Sequence, residues 1–464
     1  MATQQLTGRI GQVMAHVRAQ IGNRTLVAGA RLPSVRAQAK QLQVSVSTVV
    51  EAYERLVAEG VILAKAGSGY YVLGSTVPLT LMDAGKPVDR AIDPLWISRQ
   101  ALEAEDQLLR PGCGWLPPQW LFEDGMRRAL RAVARAPASS LSEYATPLGL
   151  PALRNLLARR LSSTGLEVSP EQIMLTESGT QAIDLICRLF LQAGDTVLVD
   201  DPCYFNFHAL LKAHRVKVVS VAYTEHGPEL EAFQAALSEH KPRLYITNSG
   251  IHNPTGATLS PVLAHRLLKL IDGSDMVVVE DDIYAEFELM PAARLSVFDG
   301  LERVIQIGSF SKTLSAAVRV GYVAAKPEWV DGLVDLKIAT SFSGGRLAQE
   351  LVWHALTDSA YRKHLDAMRV RLAQAMQTVL PKLAAVGITP VFMPLAGMFL
   401  WCRLPAGFDA AQVAQACLQQ GVVLAPGNAF SLSQQAADCV RFNVAQCWDE
   451  KIFAVLAEML TANA

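Results

Sequence analysis

The sequence predicts two folds in one chain: a small helical module that ends in a hairpin, then a large α/β body built on a mostly parallel sheet. Three observations lead there. Within the first 75 residues apolar side chains fall first at helical spacing and then in two short strand-like runs around a glycine turn. Beyond residue 170, apolar runs of strand length alternate with helical stretches, the pattern of a layered α/β fold. The charge is also divided, because residues 1–75 hold eight basic and three acidic side chains and carry +5, whereas the remainder carries −6.

Composition narrows the function classes. The chain has 464 residues, a length that suggests two or three domains. It is 51% hydrophobic and only 18% charged, which excludes disorder as a class. The net charge of −1 argues against a uniformly basic nucleic-acid binder, so a polyanion would meet the first segment alone. No apolar run reaches the roughly 18 residues of a membrane span, and Met1 to Ile10 lacks a secretory pattern. The seven cysteines, Cys113, Cys187, Cys203, Cys402, Cys417, Cys439 and Cys447, are scattered and form no CxxC pair. A disulfide framework and a metal cluster are therefore poor readings, and a cytoplasmic location is expected.

In the module, Ile10, Val13, Met14, Val17 and Ile21 give Gly8 to Ile21 a helical face. Arg31-Leu32-Pro33-Ser34 stops and restarts the chain, and Ser34 can cap a helix from Val35 to Leu42. Ser45 is a second cap, for a helix from Val46 to Glu59 closed by Gly60. Val61 to Lys65 and Tyr70 to Leu73 flank Gly67-Ser68-Gly69 as a hairpin. This is a winged helix-turn-helix with a small β-wing, whose third helix would enter the major groove of double-stranded DNA.

Arg31-Leu32-Pro33-Ser34-Val35-Arg36, Val44-Ser45-Val46-Ser47-Thr48-Val49, Tyr53-Glu54-Arg55-Leu56 and Glu59-Gly60 together resemble the GntR-type DNA-binding domain over residues 6–73. The resemblance implies phosphate contact by Arg36 and groove contact by Ser45, Ser47 and Thr48. It also implies minor-groove or phosphate contact by the wing, from Lys65 and around Gly67, Ser68 and Gly69. Val46 stands where many members carry a DNA-contacting arginine, which removes one bidentate contact to guanine.

Residues 76–95 hold Pro78, Gly85, Pro87 and Pro94 among charged residues and lose apolar periodicity, so they read as a semi-rigid linker. Hydrophobic structure resumes at Leu95-Trp96-Ile97, giving a body of residues 96–464. Its strand candidates are 172–176, 196–200, 216–221, 243–247, 276–279, 304–307 and 320–324, with helices at 180–191 and 259–271.

Ligands of such sheets sit at the carboxyl ends of the strands. There the sequence places Glu177-Ser178-Gly179-Thr180-Gln181, a glycine turn that offers N–H groups to a phosphate. Tyr204, Asn253-Pro254-Thr255-Gly256, Glu280-Asp281-Asp282-Ile283-Tyr284, and Ser309-Phe310-Ser311-Lys312 with Arg319 follow at later strand ends. Each has an ordinary explanation as a cap, a turn or a solvated loop. Their joint occurrence in order does not.

A pyridoxal phosphate site needs a nucleophilic lysine, a carboxylate at the pyridinium nitrogen, an aromatic face, donors to the ring oxygen, and a phosphate cradle. The body resembles the fold-type I aminotransferases, which implies a small C-terminal α+β domain beside the main sheet. Carried over by motif, the resemblance implies a Schiff base at Lys312, Asp281 at the ring nitrogen, Asn253 and Tyr284 on the ring oxygen, and Tyr204 stacked on the ring. Gly179, Thr180, Gln181, Ser309, Ser311 and Arg319 would hold the phosphate. Tyr144 would reach the phosphate of a neighbouring subunit in a homodimer, and Arg441 would grip an amino-acid carboxylate. Arg346, after Gly344-Gly345, is either a surface charge or a ligand contact.

A GntR-type module, a linker and an aminotransferase-like body are the architecture of the MocR regulators. The expectation is a transcription regulator that senses a small amine or amino acid, or pyridoxal phosphate itself, through the Lys312 aldimine. Two alternatives stand beside it: a working aminotransferase with an appended module, and a DNA binder whose body only dimerises. A competent residue at every cofactor position weighs against the last.

Overall fold

The computed structural model describes residues 8–22, 26, 29–65, 67–73 and 108–461. The expected linker and the restart at Leu95-Trp96-Ile97 lie outside the described residues. Two compact units, Met1–Asp89 and Arg90–Ala464, are taken separately below.

The first unit has helices α1 (Arg9–Gly22), α2 (Val35–Leu42) and α3 (Val46–Ala58), then strands β1 (Ile62–Lys65) and β2 (Gly69–Val72). Ser34 caps α2 by accepting from the Ala37 N–H, and Ser45 caps α3 by accepting from Thr48. The sharp turn between α2 and α3 places Gln43 at φ 52°, and Gly60 at φ +69° closes α3. Val13, Met14, Val17, Val49, Ala52, Tyr53 and Leu56 bury the inner faces of α1 and α3 against Leu32, Ile62 and Val72. The hairpin pairs Ile62 with Val72 and Lys65 with Gly69, and Arg31 bridges to Tyr71 on its other side.

The second unit is built on an eight-stranded sheet. Its strands are β3 (Ile173–Thr176), β4 (Thr196–Asp201), β5 (Lys217–Thr224), β6 (Gly227–Pro228), β7 (Leu244–Thr247), β8 (Val277–Asp281), β9 (Val304–Ser309) and β10 (Gly321–Ala324). The order is β3-β10-β9-β8-β7-β4-β5-β6. Strands β9, β8, β7, β4 and β5 run parallel, and β10 is antiparallel to both β3 and β9. Parallel strands covered on both faces read as continuous apolar runs, which is why Leu244–Thr247 and Val277–Asp281 are buried at every position.

A second sheet, of β11 (Thr389–Pro390), β12 (Phe399–Arg403), β13 (Ala425–Pro426) and β14 (Cys439–Asn443), is antiparallel in the order β11-β12-β14-β13. With helices Ala410–Gln419 and Glu450–Thr461 it forms the small α+β part, joined to the main sheet by the 26-residue helix Ala360–Ala385. No helix of the described residues is long and apolar enough to cross a membrane.

Candidate cofactor pocket and nucleic-acid interface

Because β10 runs against its neighbours, its first residue lies level with the ends of β3 and β9, with Gly321 opposite both Thr176 and Ser309. Arg319 therefore stands at the same sheet edge as the residues after the parallel strands. A Cβ on Gly321 would lie 2.8 Å from the Gly308 carbonyl and 2.9 Å from Ser178 C, so the loops close there only over glycine.

That edge encloses a cavity of about 180 Å³ lined by Gly179, Thr180, Tyr204, Asp281, Ser309, Ser311, Lys312 and Arg319. Its cradle is the start of helix Gly179–Phe190, whose cap Ser178 accepts from the Gln181 N–H at 3.0 Å. Arg319 Nη1 donates to Ser311 Oγ at 3.3 Å, and Ser311 Oγ lies 3.2 Å from Ser309 Oγ. Arg319 holds a left-handed φ of 51°, a conformation that costs a non-glycine residue about 1–3 kcal/mol and gathers at ligand clamps.

The three acids at the end of β8 separate by alternation along the strand. Glu280 accepts from Ser249 Oγ, from the Leu295 and Ser296 N–H groups and from Ser296 Oγ. Asp282 pairs with Arg294 at 2.8 Å. Asp281 faces the cavity, accepts from the Ile283 N–H at 3.2 Å, and has no cation at ion-pair distance among the described residues. Burial pushes its carboxyl up to about 7. Burial also brings Lys312 down to about 8, helped by the positive fields of Arg441 and Arg319 and opposed by Cys113 and Asp281.

Beyond the lysine, Asn253 Nδ2 donates to the Tyr284 hydroxyl at 3.3 Å, and Asn253 Oδ1 accepts from Arg441 Nη1 at 2.7 Å. Arg441 Nη2 donates to the Gly112 carbonyl at 2.7 Å. The guanidinium lies 4.5 Å and 4.9 Å from the rings of Phe399 and Phe430. It is 1% exposed, its Nε has no partner, and no acid among the described residues pairs with it. Burial accordingly lowers its pKa.

These groups fit pyridoxal phosphate on chemical grounds. A buried carboxylate without a cation suits a pyridinium N–H, the helix start with Ser309, Ser311 and Arg319 suits a phosphate, and the buried Arg441 suits a carboxylate.

Five expected residues do not line this cavity: Asn253, Tyr284 and Arg441 form the hydrogen-bonded group just described, and Gln181 and Tyr144 stand apart. Gln181 is not in the cavity lining: its Oε1 accepts from the Glu177 N–H at 2.7 Å and its Nε2 donates to Ser341 at 3.2 Å, so it closes its own helix turn. Tyr144 is 77% exposed and lies 4.9 Å, centroid to centroid, from the exposed ring of Phe342. Arg346 is engaged by Glu350 at 3.1 Å and Glu143 at 3.5 Å, a structural role.

Sequence reasoning passed over Ser178, Asn206 and Ile283, which also line the cavity, and Gly112, whose carbonyl holds Arg441. Ile283 lies two positions after Asp281 in the turn that follows β8, beyond the strand's alternation. Gly112 sits in a segment with no periodicity, and a Cβ there would fall 2.4 Å from the Ala425 N.

On the first unit, Arg18 pairs with Glu59 and Arg55 with Glu51, while exposed Arg9, Arg31, Arg36, Lys40 and Lys65 pair with no acid of the described residues. Ser45 Oγ is already engaged with the Thr48 N–H, Ser47 Oγ at 2.9 Å and Thr48 Oγ1 at 2.7 Å. Exposed Ser47 and half-buried Thr48 lie on the first turn of α3. In the wing, Gly67 and Gly69 hold φ of +70° and +104°, Ser68 Oγ is 2.7 Å from the Tyr71 hydroxyl, and Lys65 Nζ lies 4.7 Å over the Tyr71 ring.

Residues 120–458 match the family of class I and II aminotransferases, and residues 9–72 match the gntR family of bacterial regulatory proteins. An uncharacterized HTH-type transcriptional regulator, YdcR of Escherichia coli strain K12, is 30% identical over 95% of this chain and 96% of its own length. The probable rhizopine catabolism regulatory protein MocR of Rhizobium meliloti is 28% identical over 89% and 85%. Among solved structures, the α-aminoadipate aminotransferase LysN of Thermus thermophilus, complexed with N-(5'-phosphopyridoxyl)-L-leucine, superposes with a TM-score of 0.71 at 27% identity. That match covers 79% of this chain and 94% of LysN. With a gntR-type winged unit ahead of a fold-type I body, the chain belongs to the class I and II aminotransferase family in the arrangement of the MocR-type transcription regulators.

Proposed function

We propose that this regulator binds a double-stranded DNA operator through its winged unit and a small amine or amino acid through its body, with pyridoxal phosphate held at Lys312. One observation carries the reading: Lys312 and buried Asp281 line one cavity, the field of buried Arg441 reaches Lys312, and neither Asp281 nor Arg441 forms an ion pair among the described residues. Bound there, pyridoxal phosphate supplies an aldehyde carbon for amine exchange and a protonated ring that draws electrons.

The chain's own residues do the rest. Lys312, brought to about 8, is a ready nucleophile near neutral pH. Asp281 would hold the ring nitrogen, Tyr204 would face the ring, and Asn253 with Tyr284 would hold the ring oxygen. Gly179, Thr180, Ser309, Ser311 and Arg319 would hold the phosphate, and Arg441 would fix the effector's carboxylate. Arg36, Ser47, Thr48, Lys65, Ser68 and the Gly67–Gly69 turn meet the DNA, with Ser45 holding the turn that presents them.

The domain limits 1–75, 76–95 and 96–464 belong to the same reading, as does a cytoplasmic homodimer. Exposed Tyr144 and Phe342, side by side on the surface, support a second copy that receives Tyr144.

Operator titration with and without pyridoxal phosphate, across a panel of amines and amino acids, tests this. One effector should change operator affinity by roughly 5- to 150-fold. Operator affinity that no cofactor or amine alters would overturn it. The full set of lysine, carboxylate and carboxylate-binding arginine also supports an aminotransferase, for which 2-oxo acid formation at enzyme-like rates is the mark.

A further inference from the structure

The residue after Lys312 is bound by a carboxylate that does not line the lysine's cavity. Thr313, the next residue, is 1% exposed, and its hydroxyl donates to Glu286 Oε2 at 2.5 Å. The Tyr361 hydroxyl donates to the same oxygen at 2.6 Å and lies 3.4 Å from Thr313 Oγ1. Arg160 Nη1 pairs with Glu286 Oε1 at 3.0 Å, and its guanidinium lies 5.4 Å from the centre of the Tyr361 ring. Arg369 Nε donates to the Glu286 carbonyl at 3.0 Å. One carboxylate thus gathers donors from helix Pro151–Ser163, from helix Ala360–Ala385 and from the residue beside the lysine.

The arrangement suits a fixed mount. A lysine side chain has four rotatable bonds, and neighbours outside the cavity can constrain only its backbone origin. Two hydroxyls and a guanidinium converge on the Glu286 carboxylate, and hydrogen bonds to a charged acceptor are the stronger kind. The charged and titratable groups facing Glu286 are Arg160, Tyr322, Tyr361, His364 and Arg369. Tyr361 and Arg369 belong to the helix that joins the main sheet to the small part, and that helix also packs against β11 and Val444–Gln446, the turn following the Arg441 strand.

We propose that Glu286 is a positioning residue that acts through Thr313 to set Lys312, and that it ties the lysine to helix Ala360–Ala385. The proposal rests on the reading of Lys312 as the pyridoxal phosphate lysine.

The test uses the full-length protein loaded with pyridoxal phosphate and follows the visible band against pH, together with cofactor release after dilution. Thr313→Val and Glu286→Gln should each shift the titration midpoint and speed release about tenfold, the equivalent of one lost hydrogen bond to a charged acceptor. Thr313→Ser should restore both readouts. The double variant should move no further than either single variant, because both break one network. Tyr361→Phe, which removes a single hydroxyl, should shift the midpoint less and in the same direction. A wild-type midpoint and release rate in Thr313→Val, with only the melting temperature lowered, would overturn the proposal. A wild-type protein that never shows the band would instead sink the assignment of Lys312.

Discussion

Arg36 and Arg441 carry the same guanidinium in opposite settings. Arg36 is exposed on the first turn of α2 and pairs with no acid of the described residues. Arg441 is 1% exposed between two phenylalanine rings, and Asn253 and Gly112 each accept from it. The contrast extends to both units. In the winged unit the groups read as functional lie outside the core of Val13, Val17, Tyr53 and Leu56, so all but the helix cap Ser45 can change without disturbing the fold. In the body, Asn253, Tyr284 and Arg441 are buried and hydrogen-bonded in one chain beside buried Asp281, so a change in chemistry there is also a change in stability.

The largest effect is expected at the lysine itself. Lys312→Ala should abolish the yellow colour and the borohydride-fixed adduct while operator binding persists; an adduct in that variant would reassign the lysine. The cofactor-free protein offers a second readout. Lys312 is lowered in the folded state from 10.5 to about 8, so the unfolded chain binds the proton more readily between those values. Its burial therefore costs stability below pH 8, and that cost is relieved as pH rises from about 8 towards 10.5, by at most about 1.4 kcal/mol for each step of one in pH. Wild type should gain on Lys312→Ala across that window. Parallel stability curves would show that Lys312 is not desolvated.

Arg441→Met comes next. The change removes a buried cation without an acid and keeps most of the volume, so the melting temperature should hold or rise. The response to an effector that bears a carboxylate should vanish, and the response to a simple amine should stay. If both responses survive, Arg441 is structural.

What the sequence could tell differs between the units for the same reason. The winged unit is local: Ser34, Ser45 and Gly60 mark helix ends within a few residues of the groups they position, and those ends fall where the chain shows them. The strand-end residues of the body were legible as a series, because each parallel strand delivers its last residues to one edge. Partners brought together from distant segments were not. By residue type Glu280 and Asp282 match Asp281, and only the family resemblance singles out Asp281; alternation on β8 turns the other two toward Ser296 and Arg294. Gln181 lay in a good cradle motif, yet its side chain satisfies Glu177 instead. Gly112 reaches Arg441 from a distant part of the chain, and no local pattern marks it.

Arg36→Ala should change DNA affinity without touching the fold. One phosphate contact fewer should flatten the log–log salt dependence by about 0.9, with affinity lost evenly across sequences. A loss confined to one operator base would make Arg36 a base reader. An unchanged slope would remove it from the interface.

The smallest effect is expected at Ser45, and it separates two roles that a hydroxyl in this position combines. Its Oγ accepts from the Thr48 N–H at 3.1 Å and lies 2.9 Å from Ser47 Oγ, so capping already occupies it. Ser45→Ala should lower the stability of the winged unit by about 1 kcal/mol, the ordinary worth of such a cap. Ser45→Asp keeps an acceptor for the Thr48 N–H and adds a negative charge that favours the helix start. The aspartate should therefore restore the stability lost in the alanine variant. It should also weaken operator binding, because the same carboxylate would repel the phosphates that exposed Arg36 and Lys65 are proposed to meet. A cap alone predicts that the alanine variant binds DNA nearly as wild type once folded. Base contact predicts a loss in the alanine variant that depends on operator sequence. Thermal melts and operator titrations of the two variants side by side decide between them, and a stable alanine variant that loses one base preference would move Ser45 from the scaffold to the reading surface.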